Sequence, residues 1–265
     1  MRRMKRRALR VGIAVWLPFA AVASFGCFGC DDDPKSLKKP DAGGAASAAP
    51  APTPTTPPAP KPPKITIEPG TFAIDAERVS PTDPDPVGQI ATLITGKPQV
   101  EGAIVEIEVK RAAKPSQMIT MISALKKAKA KGVIAKTENR DKIVMPFTLT
   151  FAAPPQPDCA VVAYIAKDSK INVWTLGGGA AKTYSKGFAG PDMTLGTEGV
   201  RESVARCDAP ILFVGADDAM NWGLVYDVAT ISKSGQDGGV GLAKITQFAV
   251  VPNTVVPGRK VALEP

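Results

Sequence analysis

From residue 65 to residue 251 the apolar positions fall into short stretches of period two and longer stretches of helical spacing. The order of these stretches is the same in both halves of that span. Ile65-Thr66-Ile67, a Pro69-Gly70 turn and Phe72-Ala73-Ile74 have the alternation of a β-hairpin. Asp85 and Pro86 supply an N-cap and a first-turn proline for a helix bearing Val87, Ile90, Leu93 and Ile94, which Gly96 and Pro98 stop. Across 103–109, Val105, Ile107 and Val109 alternate with Glu106 and Glu108, which predicts a strand with one wet face. The spacing predicts a helix over 115–131 with Met118, Ile119, Ile122 and Leu125 on one face. Strands at 133–135 and 143–151 follow it.

The second series begins after Ala153-Pro154-Pro155-Gln156-Pro157, which reads as a linker. Strands at 160–165 and 171–175 flank a Lys167-Asp168-Ser169-Lys170 turn. A helix over 197–207 carries Val200, Val204 and Cys207, and Ile211-Leu212-Phe213-Val214 is a buried type of strand. A helix over 222–232 has Val225, Val228 and Ile231 in register, and a strand at 245–251 closes the series. A shift of 106 residues lays Val105 on Ile211, Ile119 on Val225, Ile122 on Val228 and Leu125 on Ile231. The expected class is α+β: two small sheet-plus-two-helix domains at 65–152 and 158–252, related as a tandem duplication, with a tail at 253–265.

Ahead of the first strand the pattern is different. Arg2, Arg3, Lys5, Arg6, Arg7 and Arg10 precede an apolar stretch from Val11 to Ser24, the layout of an export signal. Gly26-Cys27 and Gly29-Cys30 each place a small residue before a cysteine, as bacterial lipoprotein signals do. Residues 1–30 therefore read as a signal and anchor, with Cys30 the preferred lipidation site and Cys27 the second. Two other readings stay open: an uncleaved helix, since 11–30 is long enough to cross a bilayer, and release after Val22-Ala23-Ser24. All three put the remainder outside the cytoplasm. Asp31-Asp32-Asp33 behind Cys30 tilts the expected place to the periplasmic side of an inner membrane. Residues 31–64 are rich in Pro and Ala and have no apolar period; such chain cannot bury a core. At ~3.1 Å per residue, thirty of them could reach on the order of 90 Å.

Charge and chemistry narrow the functions. The chain has 33 basic residues; setting aside the six at the N-terminus leaves 27 against 25 acidic ones, so the surplus is largely a targeting feature and gives nucleic-acid binding no support. There is no histidine, which removes Ser-His-Asp and Cys-His catalysis and histidine-bound zinc. Gly177-Gly178-Gly179-Ala180-Ala181-Lys182-Thr183 lacks glycine at both positions a phosphate loop requires, and reads as a turn. No cofactor, metal or catalytic group is expected. Asp217 and Asp218 read as a solvated loop, although a pocket joining them to Lys182 would suit an envelope hydrolase. Lys126, Lys127, Lys129 and Lys131 suit a helix C-terminus, or an anionic surface. Trp222 and Tyr226 lie one turn apart, either packed on the sheet or forming a binding edge. Cys159 and Cys207 are expected to be disulfide-bonded in an oxidising compartment.

Ile211-Leu212-Phe213-Val214-Gly215-Ala216-Asp217, followed by Trp222-Gly223-Leu224-Val225-Tyr226-Asp227-Val228, resembles the periplasmic domain of the ExbD/TolR biopolymer-transport family. Ile119, Ile122, Ala124, Leu125, Lys126, Lys127 and Gly132 give a fainter echo in the first half. The resemblance implies an extracytoplasmic module that dimerises and contacts an envelope protein or peptidoglycan. It also implies, as alternatives, an accessory subunit of a proton-driven transport system. The family's membrane-embedded acidic residue has no counterpart, because residues 11–30 contain neither Asp nor Glu.

Overall fold

The computed structural model describes residues 61–139, 142–151, 159–187, 190–234, 245, 247–251 and 255–262. The signal segment with Cys27 and Cys30, the linker up to residue 60 and the connection at 153–157 lie outside the described residues. The first half runs β1 (Ile65–Glu68), β2 (Thr71–Ile74), β3 (Glu77–Val79), α1 (Pro86–Ile94), β4 (Ile104–Val109), α2 (Pro115–Lys127), β5 (Gly132–Glu138) and β6 (Val144–Thr150). The second runs β7 (Ala160–Ile165), β8 (Ile171–Thr175), β9 (Lys182–Tyr184), α3 (Met193–Val204), β10 (Ile211–Ala216), α4 (Trp222–Ser234) and β11 (Gln247–Val250). The protein is α+β, with two mixed sheets and two helices to each.

The sheets are ordered β3-β2-β1-β4-β5-β6 and β9-β8-β7-β10-β11. In both, the first three strands are antiparallel neighbours, and the first strand then pairs in parallel with the strand after the first helix. The two halves therefore share strand order and direction, with β6 as an addition to the first. The two pairs of equivalent helices and the parallel strand between them start 107 residues apart: Pro86 and Met193, Ile104 and Ile211, Pro115 and Trp222. The expected shift of 106 is thus one residue short. The reason is physical: the spacing also allows Ile119 and Ile122 on the buried face of α2, but that face is Met118, Met121 and Leu125, with the two isoleucines half-buried. Met118 and Met121 correspond to Val225 and Val228. Both first helices begin on an aspartate N-cap, Asp85 accepting from Gly88 N–H (2.8 Å) and Asp192 from Leu195 N–H (3.1 Å).

Several expected boundaries change. The short strands β3 and β9 were not foreseen, because three residues cannot display a period. α2 ends at Lys127 rather than 131: Lys129 takes a left-handed conformation (φ 60°) and closes the turn. α3 begins at Met193, four residues before the expected start, where Asp192 caps it. Each half has its own sheet and two helices, and the halves pack together. They belong to one compact unit, and one apolar core runs from Ile67, Phe72 and Met118 through Phe147 to Val214, Val225 and Phe248.

The tail is part of the fold. β7 and β10 are buried on both faces, and the face away from α3 and α4 holds Val162, Tyr164, Trp174, Leu176 and Phe213. Residues 255–262 cover it: Trp174 Nε1 donates to Arg259 C=O (2.9 Å), Val261 N–H to Leu176 C=O (3.1 Å) and Gly179 N–H to Gly258 C=O (2.8 Å). Gly178 and Gly179 have φ of 98° and 132°, so the glycine-rich turn uses backbone angles other residues avoid.

Cys159 and Cys207 form a disulfide with Cα atoms 5.6 Å apart, joining the start of β7 to the end of α3 across 48 residues. Closing a loop of that length restricts the unfolded chain by about 4 kcal/mol on the entropy estimate. Cys159→Ala/Cys207→Ala is expected to lower the unfolding free energy by up to about that amount. Urea titrations of oxidised wild type and the double variant measure it, and equal midpoints would refute a stabilising role.

Candidate functional site

The largest concentration of unusual polar contacts among the described residues lies where α4 meets the loop between β4 and α2. The first amides of any helix lack intrahelical partners. In α4 they are met by the other half: Trp222 N–H donates to Ala113 C=O (2.8 Å) and Gly223 N–H to Arg111 C=O (2.9 Å). Gly223 has to be small, because a Cβ there would stand 2.9 Å from the Arg111 guanidinium carbon. One turn further along, Asp227 accepts a two-pronged bond from Arg111, Nη1 to Oδ1 at 2.9 Å and Nη2 to Oδ2 at 2.7 Å. Arg111 Nη1 also donates to Glu138 C=O (3.0 Å). The Asp227 side chain is 6% exposed and that of Arg111 30%. Planar guanidinium and carboxylate match in this geometry as no ammonium could.

The contact is reciprocal. Ser116, second residue of α2, donates its N–H to Asp218 Oδ1 (2.9 Å), as Gly223, second residue of α4, donates to Arg111. Arg111 and Asp218 each stand two residues past their strand. Each helix start is thus bonded to the other half's equivalent loop, the arrangement of a self-complementary two-fold interface built within one chain.

Trp222 and Tyr226, for which the sequence leaves sheet packing and a binding edge both open, are inside this seam. Trp222 is fully buried, with Nε1 donating to the buried Thr137 Oγ1 (3.0 Å). Tyr226 is fully buried too, with Phe147 edge-on at 6.2 Å and Phe147 in turn 4.6 Å from Phe248. Burial, reinforced by the Asp227 charge and opposed by Arg111, pushes the Tyr226 phenol up to about 12. These side chains are committed to packing, so the binding-edge alternative for Trp222 and Tyr226 is set aside. Asp217 is used locally: its carboxylate accepts from Ala219 N–H (2.8 Å) and its N–H donates to Ile165 C=O (2.9 Å). Lys182 stands three strands away from β10 and pairs with Glu202 at 3.1 Å. Asp217, Asp218 and Lys182 therefore form no common pocket.

Of the lysines, Lys126 and Lys127 are exposed in the last turn of α2, where the macrodipole favours them. Lys129 is past the helix, and pairs with Glu101 at 3.0 Å in full solvent. The run is not one helical patch.

Sequence reading missed Arg111 and Asp227. The available signal was Asp227 itself, four residues after Gly223 and on the same face, in the otherwise apolar stretch 222–229. That is where a neighbouring backbone approaches and a buried charge needs a partner. The partner, 116 positions away, has no local mark.

An open groove of about 960 Å³ lies between β3 and α1, with Glu77 and Val79 on the strand side, Gln89, Thr92 and Thr95 on the helix side and Lys127 at its margin. Among the described residues, no group of three or more Cys, Asp or Glu side chains is placed to hold a metal, and no helix is long and apolar enough to cross a membrane. Compared with known proteins, the chain matches no family model, no curated protein and no solved structure.

Two measurements probe the seam. Arg111→Met leaves Asp227 nearly buried without its cation, which is expected to cost about 2–3 kcal/mol, below the 3–5 typical of a fully buried pair because Arg111 is partly wet. In a double-mutant cycle with Asp227→Leu, the second change is expected to recover part of that loss, and strict additivity would exclude the pairing. The second probe is alkaline. A phenol raised from about 10 unfolded to about 12 folded contributes stability that is intact below pH 10 and is lost between pH 10 and 12. At pH 11 the loss from Tyr226 is about 1.4 kcal/mol. Tyr164, raised to about 12 by burial, adds its own. Tyr226→Phe is expected to flatten the fall between pH 10 and 11.5 in urea midpoints; an unchanged slope would remove Tyr226 as a cause.

Proposed function

We propose that the chain is a membrane-tethered, extracytoplasmic binding or scaffolding protein whose two halves are built like ExbD/TolR periplasmic domains, and that it is not an enzyme. The observation that carries the reading is the pairing of two complete half-modules through a self-complementary seam. Trp222, Gly223, Tyr226 and Asp227, which lie within the stretch that resembles the family, are spent on joining the halves. Such a body presents surfaces, held at a distance by a proline-rich spacer. The Cys159–Cys207 bond suits an oxidising compartment, and the basic and apolar N-terminal pattern with Gly29-Cys30 suits a lipid anchor on the periplasmic side of a bacterial membrane. An envelope protein or peptidoglycan is the partner class that this location supplies.

Acyl-chain labelling in a bacterial host tests the anchor. Cys30→Ser is expected to abolish lipid incorporation and release the protein to the soluble periplasmic fraction, whereas Cys27→Ser retains both. Full labelling of a Cys27→Ser/Cys30→Ser variant would defeat the lipoprotein reading, and a cytoplasmic location would defeat the whole proposal.

A further inference from the structure

The two halves are built alike but closed differently along one seam. In the second half the space between the edge strand β9 and α3 is shut by its own side chains. The Tyr184 ring lies against Gly199, where a Cβ would collide with it, and Lys182 reaches Glu202 at 3.1 Å. The ladder positions give the counterparts. Tyr184 faces Ile171 and Lys182 faces Val173; in the first half Val79 faces Phe72 and Glu77 faces Ile74. On the helix, the shift of 107 makes Thr92 the equivalent of Gly199 and Thr95 the equivalent of Glu202. So Val79 opposes Thr92 where a tyrosine ring opposes a glycine, and Glu77 opposes Thr95 where a lysine meets a glutamate. Val79 is itself packed into the core, 3% exposed, so what stays open is the space beside the exposed Thr92, Thr95 and Glu77. These four residues line the groove of about 960 Å³.

The strand beside the groove is the edge of its sheet. Asp75 and Ala76 form a two-residue hairpin turn, with Asp75 at φ 54°, so Ile74 and Glu77 are the first hydrogen-bonded pair. By the alternation of antiparallel ladders, Phe72 and Val79 are the next such pair, and the N–H and C=O of Arg78 point away from the sheet. Among the described residues the side chains of Glu77 and of Lys127, at the other margin, make no ion pair or hydrogen bond.

We infer that this groove is a docking site for an extended peptide segment of a partner protein, which adds to the β3 edge at Arg78 and lays side chains between β3 and α1. The segment would supply what the first half lacks: an aromatic ring beside Thr92, in the place that Tyr184 takes beside Gly199, and a basic residue against Glu77. Backbone pairing gives such recognition its affinity and the side-chain subsites its specificity. β3 is three residues long and charged, features that keep a free edge from pairing indiscriminately. Binding is therefore modest and selective. The inference does not depend on where the chain resides or how it is anchored.

The test uses the oxidised full chain and synthetic octapeptides in which Lys and Tyr alternate with Thr, a matched set with Glu in place of Lys, and a muramyl glycan oligomer. The Lys/Tyr peptides are expected to bind, to slow hydrogen exchange at the Arg78 amide, and to lose at least tenfold in affinity with Thr92→Trp, which fills the groove at an exposed position. Thermal unfolding of that variant shows that the fold is kept. Glu77→Lys is expected to reverse the preference between the Lys and Glu sets. No peptide binding up to millimolar concentration overturns the proposal. So does binding indifferent to Thr92→Trp and Glu77→Lys, or without protection at Arg78, and so does glycan binding that Thr92→Trp abolishes while the peptides stay unbound.

Discussion

A carboxylate in the middle of an apolar helix, 6% exposed, is tolerable only if a cation meets it with the right shape. Asp227 is in that position, and the guanidinium that meets it comes from the other half of the chain. Satisfying this one group fixes much else. Arg111 has to lie flat against α4, which requires a glycine at 223. Its carbonyl is then in place for an N-terminal amide of α4, and the first turn brings Trp222 to Thr137 and Tyr226 to Phe147. The burial of these rings is non-directional, whereas the ion pair fixes the register. A sliding contact between two greasy faces has many near-equal positions; a two-pronged bond has one.

The halves show what a repeated fold holds fixed and what it lets vary. Strand order, the aspartate N-caps and the reciprocal helix-to-loop bonds are held in common. The outer faces are not. The second sheet is covered by residues 255–262, and its strands β7 and β10 are apolar throughout. The first sheet leaves that face wet, with Glu106 paired to Lys136 and Glu108 to Lys110 along it. An alternating strand such as β4 suits one dry face, and a continuously apolar one such as β10 demands two.

That contrast also explains how much could be read from the sequence. The period of two in 104–109 and the unbroken apolar run at 211–214 announced the strand types, and Asp85-Pro86 announced a helix start. The class and the duplicated order follow from such local marks. The register of α2 was misjudged by one residue because Met118, Ile119, Met121 and Ile122 are all apolar, so the pattern does not say which pair faces inward. β3 and β9 are too short for a period. The seam was invisible for another reason: its bonds join positions 85 to 116 residues apart. Nothing local to Arg111 distinguishes it from a surface arginine, and Trp222 and Tyr226 have the same spacing whether they face a partner or a core. The groove beside β3 arises from substitutions at equivalent positions, which become comparable only once the ladder is known.

The place where the chain enters the fold has a mechanical consequence. Lys64 exchanges bonds with Asp75, donating its N–H to the carboxylate (2.9 Å) and accepting from the Asp75 N–H (2.8 Å), and β1 starts at the next residue. β1 is an interior strand, with β2 on one side and β4 on the other. A pull on the segment ahead of residue 61 therefore travels along the axis of β1, and the hydrogen bonds to both neighbours resist it together, in shear. Were the entry at β3, the same pull would open the sheet from its edge, one bond after another. The chain enters the body through an interior strand, which such a pull cannot peel from an edge.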